Sequence, residues 1–99
     1  MKFAGIDGIP KEANDIVVHE LKISPEYFDA VSKGTKQFEL RKDDRNFQVG
    51  DFVILKEYDN GAYTGRKLWH KLISYVLRDC PQYGLQEGYC IIGLQEVEE

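Results

Sequence analysis

The sequence GTKQFELR, at residues 34–41, combines a turn, a strand and three ionisable side chains. Gly34 follows a segment with helical spacing, and glycine readily takes the left-handed conformation that ends a helix. Beyond it, apolar and charged residues alternate, which predicts a strand over 36–42. The chain is therefore expected to pass directly from a helix end into this strand.

Alternation assigns the side chains of this strand to two faces. Phe38 and Leu40 share one face, and Glu39 and Arg41 share the other. Lys36 lies at the strand entrance. The sequence thus predicts that an ammonium, a carboxylate and a guanidinium form a small charge cluster beside one solvent-reachable hollow.

The octad fits the pattern Gly-x-Lys-x-x-Glu-x-Arg, and here the chain resembles the ASCH family of the PUA-like superfamily. The four specified positions match at Gly34, Lys36, Glu39 and Arg41. The likeness extends from about 19 to 97, through HELKISPEYFDAVSKGTKQFELRKDDRNFQVGDFVILKEYD, YTGR and GLQEGY. The chain looks most similar to small bacterial and phage ASCH-like domains of unassigned function. The resemblance implies a small β-barrel with a cleft beside the motif that binds RNA or a nucleotide-like ligand.

Length and composition predict one domain. A chain of 99 residues has room for a single core, here 16–99, preceded by an irregular arm over 1–15. No run approaches the roughly 20 apolar residues of a membrane span, and the N-terminus lacks a secretory pattern, so a cytoplasmic location is expected. Cys80 and Cys90 are too few for a disulfide framework or a zinc site, so we expect reduced thiols, no metal and no cofactor.

The charge is distributed unevenly. The net charge is −4, which argues against bulk coating of nucleic acid. Residues 33–45 carry +2 and residues 61–78 carry +4, which leaves −10 for the remainder. If the two windows meet in space, they form one basic face of the kind that a polyanion site requires. The alternative is that these residues are solvated strand edges, where lysines limit aggregation.

Two further strand patterns flank the octad. Residues 17–23 alternate, with His19 on the apolar side. A hydrogen-bonded core histidine is the expected interpretation, and a place on the cleft floor is the alternative. The run 52–55 contains four consecutive apolar residues, which predicts a strand buried on both faces.

The remaining elements follow from turn and cap signals. Ser24 and Pro25 are suited to start a helix over 25–33. Asn60-Gly61 predicts a hairpin, with a longer tip to residue 65 that carries Tyr63 and Arg66. The other predicted elements are a long strand over 67–78, a loop over 79–88 with a helical turn at 85–87, and a last strand over 89–97. Trp69 shares the face of Ile73 in the long strand, so a core position is the expected interpretation, and stacking on a base is the alternative.

These elements predict a mainly β protein with one or two short helices and α+β character. The architecture is a mixed β pseudobarrel of about five to six strands, closed or nearly closed. An OB-like barrel satisfies the same element count. The resemblance favours the PUA-like barrel, because the early helix leads into the Gly34 motif.

The favoured function is an RNA- or nucleotide-binding module, in RNA metabolism or in regulation of transcription or translation. Lys36 and Arg41 supply a mobile and a planar cation, and Glu39 orients Arg41 or accepts from an amine. The additional candidate ligand-binding residues are His19, Arg45, Tyr63, Arg66 and Tyr83, and Lys71 or Ser74 are further candidates to complete the pocket. Exposed bases of single-stranded or looped RNA suit such a site.

Two other functions compete with this one. ASCH-like acetylcytidine amidohydrolases use a lysine that matches Lys36, so the resemblance also implies an enzyme with Lys36 and Glu39 as catalytic residues. Those enzymes carry threonine at the position of Glu39, which argues against this assignment. The third hypothesis is that the octad forms an ion-pair ladder and that the domain is an adaptor that binds a protein partner.

Overall fold

The computed structural model describes residues 16–97 and the backbone of two short strands that precede them. These are β1 (Phe3–Ala4) and β2 (Pro10–Lys11), which pair with one another antiparallel. The rest of the predicted N-terminal arm, and the last two residues, lie outside the described part of the chain.

A curled mixed sheet of five strands forms a half-barrel. Its strands are β3 (Val18–Ile23), β4 (Phe38–Lys42), β5 (Phe52–Asp59), β6 (Ala62–Leu77) and β7 (Tyr89–Glu96). They lie in the order β3-β5-β6-β7-β4. The β3–β5 pair is parallel and the other pairs are antiparallel. The prediction of a small mixed β fold is confirmed, but the described sheet does not close into a barrel, since its two edge strands, β3 and β4, do not pair with each other.

One helix, α1 (Pro25–Ser32), connects β3 to the octad, as predicted. Pro25 occupies its first turn, whereas the Ser24 side chain makes no capping hydrogen bond. Gly34 follows with φ of +79°, the left-handed conformation expected of it. The helix places Phe28 and Val31 in the core, so burial of its apolar side stabilises its position on the inner face of the sheet.

The core follows the predicted strand patterns at several positions. Buried residues of β3 and β5 pack under α1, and the β5 run 52–55 is buried on both faces, as predicted. Cys90 and Ile92 of β7 are fully buried. Burial raises the pKa of the Cys90 thiol, which therefore stays neutral at ordinary pH. Cys80 and Cys90 are both free thiols, as predicted.

Two predicted loop features differ in the structure. The hairpin turn is only Asn60-Gly61, both with positive φ, and β6 begins at Ala62. Tyr63 and Arg66 therefore belong to a strand and not to a longer tip. The loop before β7 has a short 3-10 helix at Pro81–Tyr83, where the predicted helical turn was at 85–87. Pro81 is suited to the first position of such a turn.

The prediction that Trp69 belongs to the core is wrong, and the reason is a β-bulge. Leu68 pairs with Leu55 and Lys71 pairs with Val53, so Trp69 and His70 together oppose one residue of β5. His70 has φ of +49° at this point. The extra residue reverses the alternation. Trp69 consequently points outward with 61% of its surface exposed, while Ile73 is fully buried.

The exposure of Trp69 predicts the effect of truncating it. Trp69→Ala should lower the free energy of unfolding by about 1 kcal/mol or less, because surface substitutions remove little buried area. Ile92→Ala, at a fully buried position, should cost about 2–5 kcal/mol. Urea unfolding followed by far-UV circular dichroism measures both. Similar losses for the two variants would contradict the outward orientation of Trp69.

Candidate ligand-binding cleft beside Lys36

The charged face of β4 points into the half-barrel. Glu39 pairs with Ile92 and Arg41 pairs with Cys90, two fully buried residues of β7. Glu39 is accordingly only 4% exposed, whereas Leu40 on the opposite face is 57% exposed. The predicted sharing of faces is confirmed. The usual rule that the apolar face is buried is reversed here.

Glu39 is the centre of the charge cluster. Its Oε1 contacts the ammonium of Lys36, and its Oε2 lies 3.8 Å from a guanidinium nitrogen of Arg41. Lys36 also donates to the carbonyl oxygen of Phe38 at 2.8 Å. The ammonium lies 4.9 Å from the ring centres of both Phe38 and Tyr27. Burial of a carboxylate costs far less free energy when it has cationic partners than when it is unpaired. Lys36 and Arg41 therefore account for the burial of Glu39.

Two pockets meet at Lys36. The first, which we name the β7 pocket, has a volume of about 320 Å³. Its polar lining comes from Lys36, Gln37, Lys71, Ser74, Gln95 and Glu96. The second, which we name the β4 pocket, has a volume of about 280 Å³ and is lined by Tyr27, Lys36, Phe38, Glu39 and Leu40. One lysine thus serves a polar pocket on one side and a mainly apolar pocket on the other.

Lys71 brings a second ammonium to the β7 pocket. The bulge at Trp69–His70 turns Lys71 inward, so that it pairs with Val53 and is buried. Its ammonium contacts the carboxylate of Glu96, whose side chain is 78% exposed. The alternation predicted along this strand put Lys71 with Trp69 on one face, and the bulge separates them.

Ser74 reaches the same pocket through a second bulge. Ile73 pairs with Leu94 and Tyr75 pairs with Gly93, which leaves Ser74 as the extra residue. A Cβ atom on Gly93 would lie 2.7 Å from the Ser74 hydroxyl oxygen. Gly93 therefore leaves the space that the Ser74 side chain occupies.

The predicted arginines have structural partners. Arg41 donates to the carbonyl oxygen of Lys22 at 2.7 Å, and Arg45 donates to that of Glu20 at 2.8 Å. Both acceptors belong to the edge strand β3. Arg41 thus connects the edge strand β4 to β3, and Arg45 connects the segment after β4 to β3. Arg41 contributes to the cleft chiefly through Glu39.

Arg66 is engaged elsewhere. It lies 3.2 Å from carboxylate oxygens of both Asp29 and Glu57, and its guanidinium carbon is 4.4 Å from the ring centre of Phe28. Glu57 also accepts from the Thr64 hydroxyl at 2.7 Å. These contacts fix α1 against the β5–β6 hairpin. Arg66 lines neither of the two pockets.

The other predicted ligand residues also lie apart from the cleft. His19 is buried, with Nε2 2.8 Å from Asp51 Oδ2, in agreement with the core interpretation. Tyr63 lies on the β5–β6 hairpin and packs against Tyr58. Tyr83 is 86% exposed on the 3-10 helix. Of the predicted set, the structure brings together Lys36, Glu39 and Arg41.

The two basic windows do not form one continuous face. Arg78 donates from Nε to Asp43 at 2.6 Å and from Nη2 to the carbonyl oxygen of Phe47 at 3.0 Å. The hydrogen bond to Asp43 raises the pKa of Arg78, so this pair is a fixed structural contact. The windows therefore meet at the Arg78–Asp43 pair, where a carboxylate offsets the positive charge, and at the β7 pocket, which Lys36 and Lys71 line.

Among the described residues, no group of three or more His, Cys, Asp or Glu side chains is arranged to hold a metal ion. Within the same part of the chain, no helix has the length and apolarity needed to cross a membrane. The polar groups that line the cleft are ammonium, carboxylate, hydroxyl and amide groups.

Residues 18–94, which include the octad and Lys71, match the family described as "Domain of unknown function (DUF3850)". The chain belongs to this DUF3850 family. It is also 49% identical over 51 residues to the "Uncharacterized 12.9 kDa protein in GpA 3'region" of Escherichia phage P2. That match covers 52% of this chain and 47% of the phage protein, so the chain spans about half the length of this relative. Neither description names the ASCH family, a ligand or a reaction.

The contacts of Arg41 predict a local effect of removing it. Arg41→Ala should lower the free energy of unfolding by about 1–3 kcal/mol, because the Lys22 carbonyl loses its charged donor and buried Glu39 loses a cation. Amide hydrogen exchange should accelerate in β3 and β4 more than in β6. Lys42→Ala, which removes an exposed charge from the same strand, is the matched control. Unchanged exchange at both edges in Arg41→Ala would show that the guanidinium does not connect them.

Proposed function

We propose that the cleft binds a nucleotide unit, either free or within single-stranded or looped RNA. The observation that carries this proposal is the position of Lys36 between a polar pocket with two lysines and a mainly apolar pocket with aromatic rings. A phosphate in the β7 pocket would contact the ammonium groups of Lys36 and Lys71. A base in the β4 pocket would pack against Tyr27 and Phe38. The resemblance to ASCH domains supports the same ligand class.

The ion pairs of the cleft indicate how a phosphate would enter. The Glu96 side chain is 78% exposed, so water can solvate its carboxylate once it leaves the buried Lys71, and a phosphate can take its place beside the ammonium. Glu39 is buried and remains in contact with Lys36. The ligand therefore replaces one carboxylate while the other keeps Lys36 in place. Modest, salt-sensitive affinity follows.

The exchange of partners at Lys71 predicts opposite effects for two substitutions. Lys71→Ala should weaken binding of uridine or cytidine monophosphate about tenfold, since a phosphate loses a charge-assisted hydrogen bond. Glu96→Gln should strengthen it about two- to fivefold, because the competing carboxylate is removed. Isothermal titration calorimetry at 50 and 200 mM salt measures both, with Lys42→Ala as the control.

The corresponding test at the junction of the pockets is Lys36→Ala, which should abolish measurable nucleotide binding. Lys36→Arg, which keeps the charge with a larger head group, should retain part of it. Equal affinity of Lys36→Ala and the unsubstituted protein would refute the nucleotide site, as would weaker binding by Glu96→Gln.

A second candidate function is hydrolysis of an acylated nucleoside amide. The observation that favours it is the direct contact between Lys36 and the buried Glu39. Transfer of a proton from the Lys36 ammonium to Glu39 would leave a neutral amine able to take a proton from water. The resulting hydroxide adds to the amide carbon, the C–N bond breaks, and the leaving amine receives the proton from Lys36. The products are a carboxylic acid and the free amine.

This alternative predicts that the protein releases acetate from N4-acetylcytidine, and that both Lys36→Ala and Glu39→Gln lower the rate at least 100-fold. Chromatographic detection of cytidine measures turnover, with Lys42→Ala as the control. Absence of turnover in the unsubstituted protein would exclude this function for that substrate. If nucleotide binding were absent as well, the protein-interaction adaptor would be favoured.

A further inference from the structure

Three lysines form a row across the outer face of the half-barrel. Lys22 of β3 is the register partner of Lys56 of β5, which is in turn the partner of Lys67 of β6. The row therefore crosses three adjacent strands, which lie about 4.7–4.9 Å apart. The sequence does not reveal this row, because the three lysines lie in separate segments of the chain.

The row is unfavourable on electrostatic grounds alone. Like charges directly opposite each other destabilise a sheet. One carboxylate partly offsets the repulsion, since Glu20 Oε1 lies 3.6 Å from the Lys56 ammonium. Stability of the sheet therefore does not account for three lysines side by side on adjacent strands. Binding of a polyanion across them would account for the row.

Each lysine of the row is positioned by an aromatic ring. The ammonium groups of Lys22 and Lys56 lie 4.4 Å from the ring centres of Tyr58 and Tyr63, respectively. The Lys67 ammonium lies 5.2 Å from the ring centre of Trp69. Cation–π contacts of this kind are worth about 0.5–1 kcal/mol at exposed sites, so they orient the lysines without neutralising them. We name this surface the lysine–aromatic face: Lys22, Lys56, Tyr58, Tyr63, Lys67 and Trp69.

We propose that the lysine–aromatic face binds single-stranded nucleic acid, with phosphates along the lysine row and bases stacked on Tyr63 and Trp69. Tyr63 is half exposed and Trp69 is more than half exposed, so both rings offer accessible surface. Aromatic rings beside a basic track are the arrangement by which proteins bind single strands without strict sequence preference. An acidic peptide would use the lysines but gain little from the rings.

This face is separate from the cleft. Lys56 points outward, whereas its neighbour Leu55 is fully buried in the core between the two surfaces. Similarly, Trp69 points outward and Lys71 inward on either side of the bulge. The proposal therefore does not depend on nucleotide binding at Lys36, and each surface is testable without the other.

Trp69 provides a direct readout, since it is the one tryptophan of the 99 residues. We expect eight-nucleotide oligouridylate or oligothymidylate to quench its fluorescence, because a base stacked on the indole changes its environment. The slope of log K against log salt should be about −0.7 per lysine–phosphate contact, so Lys22→Ala and Lys67→Ala should each reduce its magnitude by about 0.7. Each of these two alanine variants should bind several-fold more weakly, whereas Lys67→Arg should retain most of the affinity of the unsubstituted protein.

The aromatic contribution is measured separately with 5′-labelled oligonucleotides and fluorescence anisotropy. Trp69→Ala should weaken binding about tenfold, in line with the contribution of one stacked base. Lys33→Ala and Lys42→Ala, which remove exposed lysines outside both surfaces, should leave affinity unchanged within twofold. Circular dichroism melting verifies that each variant is folded.

Several outcomes would overturn the proposal. The lysine–aromatic face is not a nucleic-acid site if neither oligonucleotide quenches Trp69, or if Lys33→Ala weakens binding as much as Lys67→Ala. It would be a site for a different partner if poly-glutamate or vesicles with anionic phosphatidylserine quenched Trp69 at lower concentration than the oligonucleotides.

Discussion

The half-barrel is held together at its open side by side chains and not by a backbone ladder. Guanidinium groups of Arg41 and Arg45 bind carbonyl oxygens of the edge strand β3, and buried Glu39 lies beside Arg41. Arg41 makes this contact from the inward face of β4, and the apolar face of that strand is thereby left in solvent. Ion-paired side chains therefore line this side of the half-barrel, where apolar side chains would otherwise pack. They leave space beside Lys36, and that space is the cleft.

A single extra residue in β6 links the cleft to the outer surface. The bulge at Trp69–His70 turns Lys71 into the half-barrel and leaves Trp69 on the outside. Without it, strict alternation would place these two side chains on the same face. The same backbone feature therefore gives the β7 pocket its second ammonium and gives the outer lysine row its aromatic end. Bulges commonly redirect side chains near functional sites, and this one does so on both sides of the sheet.

Much of the fold is readable from the sequence, because its signals are local. The helix after Ser24, the turn at Asn60-Gly61 and the doubly buried run 52–55 all depend on neighbouring residues. The side of β4 that faces the core does not depend on neighbouring residues alone. Alternation places Glu39 and Arg41 on one face, but it does not show which face is buried. The bulge at His70 was equally hidden, because histidine tolerates a positive φ better than most residues but does not signal one inside an alternating strand pattern. For the same reason the sequence predicted the charge cluster and named Lys71 as a candidate for its pocket, but it predicted neither the outward Trp69 nor the outer row.

The arginines and the lysines have different contacts, and this difference constrains the ligands that the two proposed sites can bind. Arg41, Arg45, Arg66 and Arg78 all donate to carbonyl or carboxylate oxygens of the chain itself. Their planar donor groups suit such fixed contacts. The ammonium groups left to face ligands are lysines, which act as mobile point charges without bidentate geometry. Neither surface therefore has a guanidinium fork to read a base edge. In the two proposed binding modes, selectivity therefore comes from the shape of the β4 pocket and from stacking, while the lysines supply a charge attraction that salt weakens.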